Sequence, residues 1–145
     1  MSGTAVQLDD IVAWLESLTP ASCDRVPEFY AADARFRDPF SDVRGTAAVR
    51  AIYLHMFDRL VNPRFRVTGR WSGADGVVLR WEFLFKISGL GRSGEETITG
   101  LSHLRFAPDG RISEHLDYWD AAGELYEKLP VLGVFMRWLK RRAAG

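Results

Sequence analysis

The chain has 145 residues, of which 47% are hydrophobic and 26% are charged. This length and composition predict one globular domain, covering residues 1–145, and exclude general disorder. Lys+Arg and Asp+Glu both number 19, so the formal net charge is zero and no overall basic field attracts a nucleic acid.

The first part of the chain is predicted to be helical. Residues 9–10, both Asp, precede apolar residues at helical spacing, which indicates an amphipathic helix with Trp14 near its middle. Thr19 and Pro20 then begin a second short helical stretch. Its boundaries are not fixed by the sequence, because Pro27 must lie in the first turn of a helix or divide the segment. The apolar side of the first helix is Ile11, Val12, Leu15 and Leu18, and that of the second is Val26, Phe29 and Tyr30.

A strand and a third helix follow. Residues 34–40 alternate with period two, which places Phe36 and Asp38 on one face of the strand. A Gly-Thr pair then caps a helix that is predicted to run from residue 47 to about residue 60 with a continuous apolar face.

From Asn62 onward the pattern has period two, as in β-strands. A Gly/Ser-rich turn over residues 88–94 and a Pro-Asp-Gly turn at residues 108–110 divide this part into antiparallel strands. The chain is therefore predicted to be an α+β domain in which N-terminal helices pack on a curved, mostly antiparallel sheet.

One face of each strand must be apolar to pack against the helices. In the strand over residues 77–87 that face contains Trp81, so Arg80, Glu82 and Lys86 are expected to point outward.

The last strand carries polar residues on its expected inner face. Trp119 is the large apolar anchor of that face, which brings His115 and Asp117 inside. Asp38 then projects into the same aromatic-lined enclosure, where loss of water raises the pKa of a carboxyl group toward the range useful for proton transfer. The alternatives are that the Asp before Pro-Phe caps a turn and that His-x-Asp is a salt bridge. The inner face is Ser113, His115, Asp117 and Trp119, and the outer face is Ile112, Glu114, Leu116 and Tyr118.

The C-terminal segment at about residues 131–143 is predicted to be an apolar helix with a basic end, after a break at Pro130. Such a helix can lie on an anionic membrane surface. We favour the alternative that it packs over the pocket mouth or against a second copy of the chain, its cations complementing the helix dipole.

Cofactors and location follow from the cysteine count and the hydropathy. Cys23 is the single cysteine, and no Cys/His cluster has metal-site spacing, so neither a metal nor another cofactor is predicted. The N-terminus lacks a signal-peptide pattern, and no apolar run approaches the ~20 residues that span a bilayer. A cytoplasmic location is therefore expected.

Two segments of the chain resemble those of a known superfamily. The first is residues 30–40 (YAADARFRDPF), followed by Arg44-Gly45 and the third helix. The second is residues 104–112 (LRFAPDGRI), followed by DYWD at residues 117–120. Over about residues 8–126 the chain resembles the SnoaL-like and ketosteroid-isomerase branch of the nuclear-transport-factor-2-like superfamily. The resemblance implies a conical α+β barrel with a ligand cavity, and often a homodimer formed through the outer face of the sheet.

The resemblance also implies roles for individual residues. In the ketosteroid isomerases the Asp of the Asp-Pro pair is the general base, and Asp38 matches it. The oxyanion-hole positions of that family are occupied here by Trp14 and Ser102, which are weaker donors than its Tyr and protonated Asp. SnoaL-like cyclases use one Asp as acid and base, which Asp117, or Asp38, flanked by His115 would match.

The limonene-epoxide-hydrolase branch offers another template. Asp117 matches the last Asp of its Asp-Arg-Asp arrangement, and Arg80 and Glu82 could correspond to its Arg-x-Asp pair. Phe36 and Asp38 occupy the positions of its water-holding Tyr and Asn, so the match is partial.

The sequence leaves several functions open. The first is an isomerase or lyase that moves a proton on a small apolar carbonyl compound, with Asp38 as general base and Asp117 and His115 as acid or orienting groups. The alternatives are a small-molecule-binding module without catalysis and an epoxide-hydrolase-like enzyme using Asp117. The expected partners are a small apolar molecule and a second copy of the chain. The expected pocket walls are Trp14, Phe36, Trp81, Ser102 and Trp119.

Overall fold

The computed structural model describes residues 5–87, 94–120 and 141–142. Helix α1 spans Leu8–Glu16, and after a 3-10 turn at Ala21–Arg25 helix α2 spans Val26–Phe29. Helix α3 spans Thr46–Arg59 and begins after Gly45, whose φ of 97° places it in the left-handed region that favours glycine. Three helices were predicted at these places.

Six strands form one sheet in the described part of the chain. Its order is β2-β1-β6-β5-β4-β3, with β1 and β6 parallel and every other pair antiparallel. The predicted α+β class and the helices packed on a curved, mostly antiparallel sheet are confirmed. The strands are β1 (Tyr30–Arg37), β2 (Asp42–Arg44), β3 (Val61–Gly73), β4 (Gly76–Lys86), β5 (Glu96–Phe106) and β6 (Ile112–Tyr118).

The helices cover the inner face of the sheet and enclose the core. The inner face of β4 has the predicted residues, since Leu79, Trp81 and Phe85 are buried while Arg80 and Lys86 are exposed. The main core cluster combines the helices with β1, β4, β5 and β6, and its fully buried members include Ile11, Val26, Tyr30 and Val49.

Strand β6 departs from the predicted alternation at its start. Ile112, expected on the outer face, is fully buried and belongs to the core. The pairing register of β5 with β6 shifts between Arg105 and Phe106, and that of β1 with β6 shifts between Tyr30 and Arg35. A bulge of this kind changes the face on which a residue lies. Beyond it the predicted alternation holds, with His115 buried and Tyr118 exposed.

Two predictions fall on residues outside the described ranges. They are most of the turn at residues 88–94 and the C-terminal helix at about residues 131–143, of which only Arg141 and Arg142 are described, both helical. Among the described helices, none has both the length and the apolar character needed to cross a membrane.

Candidate functional site

A cavity of about 220 Å³ lies between the helices and the inner face of the sheet. Its volume is below that of most sites for drug-sized ligands, so it suits a small molecule. Helix α3 contributes Ile52, Tyr53, His55, Met56 and Arg59 to its wall, and Arg142 also lines it. The aromatic lining from the strands and their ends is Phe36, Phe40, Phe65, Trp81, Phe83, Phe85 and Trp119.

The register of four neighbouring strands brings the polar groups of the cavity together. Phe36 in β1 pairs with His115 in the parallel strand β6, so the chain beyond β1 places Asp38 beside the part of β6 that holds Asp117. Ser102 in β5 pairs with Asp117 on one side and with Leu79 of β4 on the other. Ser102, His115 and Asp117 therefore reach the cavity from defined register positions, and Asp38 follows directly on the last paired residue of β1.

Asp117 is held by side-chain donors. His115 Nε2 lies 2.6 Å from Asp117 Oδ1, and the Ser102 hydroxyl donates to the same oxygen. The indole N–H of Trp81 in turn donates to Ser102 Oγ at 2.8 Å. Both hydrogen bonds to the Asp117 carboxylate thus fall on Oδ1, which leaves Oδ2 without a hydrogen-bond partner in the described part of the chain.

Two buried tyrosines lie behind His115. The Tyr30 hydroxyl is 2.8 Å from His115 Nδ1 and 2.7 Å from the Tyr53 hydroxyl. Burial raises the pKa of both phenols well above their ordinary value. Both tyrosines therefore stay protonated at neutral pH and act as hydroxyl groups, not as phenolates.

Asp38 is held differently, by the backbone of the turn that follows β1. Its Oδ1 accepts the N–H groups of Phe40 at 2.8 Å and Ser41 at 2.6 Å. Burial raises the pKa of Asp38 despite these bonds, which lower it, and the nearby Asp117 charge raises it further. The pKa of Asp38 is thus shifted toward the neutral pH range, in which a general base exchanges protons efficiently.

The structure brings seven of the eight predicted site residues to this cavity. They are Asp38, His115 and Asp117, predicted to be catalytic, and Phe36, Trp81, Ser102 and Trp119, predicted to bind a ligand. Their roles in catalysis or binding stay predictions.

Trp14 is the exception and corrects the prediction that it lines the pocket. Its ring stacks on Phe29 with centroids 4.9 Å apart, and only 3% of the residue is exposed. Its indole N–H donates to the carbonyl of Ser22 at 2.9 Å. With Ser102 donating to Asp117, neither residue at the ketosteroid-isomerase oxyanion positions offers its hydrogen to a cavity ligand.

The candidate Arg-x-Asp pair of the epoxide-hydrolase template lies outside the cavity. Arg80 is exposed, and the Glu82 carboxylate accepts from Arg66 Nε at 3.0 Å. His103, whose orientation the sequence left open, has its Nε2 2.8 Å from the carbonyl oxygen of Asp75 and does not line the cavity.

Tyr30 and Tyr53, which form the hydrogen bonds behind His115, were not among the predicted site residues. Tyr30 was assigned to the second helical stretch, whereas it is the first residue of β1 and faces inward. Its place at the head of the YAADARFRDPF segment was the available signal. Tyr53 lies on the predicted apolar face of α3, where an aromatic residue is more often part of the core than a hydrogen-bond donor.

The model of the SnoaL-like domain family matches residues 11–115, more than half of the chain. No curated protein matches this sequence.

Solved structures share the fold. A hypothetical protein from Catenulispora acidiphila DSM 44928 with a ketosteroid isomerase-like fold, solved in complex with trimethylamine, is 16% identical with a TM-score of 0.69, covering 83% of this chain and 92% of its own. An LEH-like epoxide hydrolase from M. tuberculosis is 18% identical with a TM-score of 0.67, covering 90% and 94%. A putative SnoaL-like polyketide cyclase from Shewanella putrefaciens CN-32 is 18% identical with a TM-score of 0.67, covering 86% and 97%.

Proposed function

The chain belongs to the SnoaL-like domain family, and we propose that it catalyses proton transfer in a small apolar carbonyl compound bound in the cavity, as an isomerase or lyase. Asp38 is the general base of this proposal. Asp117 and His115 are the acid or orienting groups.

The observation that carries the proposal is the environment of the Asp38 carboxyl group, namely its hydrogen bonds and its burial. Its Oδ1 is occupied by two backbone N–H groups, so Oδ2 is the oxygen that can take a proton from a carbon next to the carbonyl. Its pKa is raised by burial, which makes the carboxylate a stronger base than an exposed Asp. The lining of the cavity is mostly apolar, which suits a substrate of low polarity.

The isomerase reaction needs only the return of the same proton to the substrate, whereas in a lyase reaction the enolate expels a leaving group from the neighbouring carbon. Asp38 takes the proton from the carbon, the electron pair of the C–H bond passes into the enolate, and Asp38 gives the proton back at the same or another carbon. The Asp117–His115 pair lies in the same cavity and can orient the carbonyl compound or supply a second proton.

Hydrogen–deuterium exchange tests the proposal with simple ketones in place of the natural substrate. Small cyclic ketones are incubated with the protein in deuterated water, and loss of the proton next to the carbonyl is followed by NMR. We expect wild type to accelerate exchange for at least one ketone, and Asp38→Asn to lower that rate by about 10² or more.

Asp33→Asn is the matched control, because Asp33 is an exposed residue of β1, the strand that leads into Asp38. It should exchange at the wild-type rate. Equal exchange in wild type and Asp38→Asn would remove Asp38 from the role of base.

A non-catalytic binding module is the second candidate, and one observation favours it. An enolate needs hydrogen-bond donors, yet the Trp81 N–H and the Ser102 hydroxyl are both used within the protein. Native mass spectrometry of the purified protein distinguishes the two functions. A retained small molecule together with no exchange of any ketone would support binding alone.

A further inference from the structure

Five side-chain hydrogen bonds form one continuous chain through the floor of the cavity. It begins at Tyr53, passes through Tyr30, His115 and Asp117, and reaches Trp81 through Ser102. The direction of one end is fixed, because an indole N–H can only donate and Ser102 Oγ therefore accepts from Trp81. The Ser102 hydroxyl hydrogen then goes to Asp117 Oδ1.

The direction at the other end depends on which nitrogen of His115 carries a proton. If Nδ1 is unprotonated, Tyr30 donates to it and Tyr53 donates to Tyr30, so every hydroxyl hydrogen has an acceptor. If Nδ1 carries a proton, Tyr30 must donate to Tyr53 instead. The Tyr53 hydroxyl hydrogen then has no hydrogen-bond acceptor in the described part of the chain, at a buried position where an unsatisfied donor is unfavourable.

The contact between His115 Nε2 and Asp117 Oδ1 also places the proton of His115 on Nε2. With Nε2 protonated, His115 donates to Asp117 Oδ1 across the 2.6 Å separation. With Nε2 unprotonated, two lone pairs would face each other at that distance unless Asp117 itself held a proton on Oδ1. The arrangement in which all these groups are satisfied has His115 protonated on Nε2 and unprotonated on Nδ1, with Asp117 Oδ1 as an acceptor.

We propose that Tyr30 and Tyr53 are positioning residues that hold His115 in the neutral tautomer protonated on Nε2, so that it donates to Asp117 Oδ1. Tyr30 acts directly, as the donor to Nδ1, and Tyr53 acts by polarising and orienting the Tyr30 hydroxyl. The inference rests on the proposed function for its purpose, since it assigns Asp117 Oδ2 as the oxygen that remains for a substrate. The tautomer itself depends only on the hydrogen-bond geometry.

Nitrogen-15 NMR of histidine-labelled protein tests the tautomer directly. The chain has three histidines, and the signals of His115 are identified by their loss in His115→Gln. In the unliganded wild type at slightly alkaline pH we expect Nε2 to show the shift of a protonated nitrogen and Nδ1 that of an unprotonated one. In Tyr30→Phe the Nδ1 signal should move further downfield, because it loses its donor, and in Tyr53→Phe it should move the same way by less.

Tyr118→Phe is the matched control, since Tyr118 is exposed on the same strand as His115, and its His115 signals should coincide with wild type. A protonated Nδ1 in wild type, or an unmoved Nδ1 signal in Tyr30→Phe, overturns the proposal. If Tyr30→Phe does not fold, the proposal is tested by the His115 nitrogen shifts of wild type and of Tyr53→Phe. Because no substrate is present, a wrong tautomer leaves the role of Asp38 standing, and absence of ketone exchange leaves the tautomer result intact.

Discussion

Asp38 and Asp117 reach one cavity from distant parts of the chain, and different kinds of donor hold them. The donors to Asp38 are backbone N–H groups of its own turn, whereas those to Asp117 are the side chains of His115 and Ser102. An Asn at position 38 can still accept the backbone bonds through its amide oxygen. Replacing Asp38 therefore removes the charge while keeping the turn.

Because burial raises the pKa of Asp38, the free energy of unfolding should change with pH in a way that depends on this residue. A raised folded-state pKa means that the folded chain holds the proton more tightly than the unfolded chain. The stability contributed by protonated Asp38 is complete below the ordinary Asp pKa of about 3.9 and is lost as the pH rises through the folded-state value. Asn is neutral throughout, so Asp38→Asn should become more stable relative to wild type as the pH rises. The gain is about 1.4 kcal/mol for every tenfold difference in proton affinity between the folded and the unfolded chain.

Urea unfolding of both proteins over a series of pH values measures this difference. Asp33→Asn, at an exposed position of β1, reports the general effect of removing one negative charge. If the free energy of unfolding of Asp38→Asn instead fell relative to that of wild type as the pH rose, burial would not be destabilising the charged form of Asp38.

At the scale of elements, the contact of β4 with β5 fixes the position of Trp81. Gly100 pairs with Trp81, and the six-membered part of the indole lies where a side chain at position 100 would begin. The absence of a Cβ lets the ring approach the backbone of β5, where its N–H donates to Ser102 Oγ. One glycine thus supports both the core and the polar floor of the cavity.

Gly100→Ala should therefore lower the free energy of unfolding considerably, although it adds only one methyl group. Its Cβ overlaps Cη2 and Cζ2 of the Trp81 ring, so the indole must move and the hydrogen bond to Ser102 is strained or lost. We expect a loss of about 1–3 kcal/mol in the free energy of unfolding, measured by urea titration. Gly73→Ala is the control, since nothing lies within 4 Å of a Cβ there. It should stay within about 0.5 kcal/mol of wild type, and equal losses in both variants would argue against this packing.

The strand patterns predicted most of the cavity because a period of two separates faces wherever the register is regular. The inner face of β4 and the cavity residues Asp38, His115 and Asp117 follow from it. Ile112 does not, because the bulge between β5 and β6 depends on pairing with distant residues. Strand β2 has only three residues, too few to show a period.

Helical faces were less informative about the site than strand faces. A helical period shows that a residue points inward but does not separate a cavity wall from the solid core. Trp14, packed on Phe29, and Tyr53, which lines the cavity, both lie on apolar helix faces. The hydrogen bonds of Tyr30 and Tyr53 join residues 23 and 85 positions apart, so no local pattern could reveal them.

At the scale of the whole molecule, the outer face of the sheet carries exposed apolar residues. Leu101 and Tyr118 face each other across β5 and β6 and are 41% and 59% exposed. A zero formal net charge gives little electrostatic resistance to self-association. These features support the expected homodimer through this face.

Leu101→Lys should weaken that dimer, because a charge would be buried without a partner in the centre of the interface. We expect wild type to elute as a dimer in size-exclusion chromatography with light scattering. The variant should have a dissociation constant at least about 10-fold higher, which corresponds to about 1.4 kcal/mol. Ala13→Lys places the same charge at an exposed position of helix α1, which covers the inner face of the sheet, and should remain dimeric. A wild type that is monomeric at every concentration, or a Leu101→Lys protein that dimerises as wild type does, would show that the outer face of the sheet is not the interface.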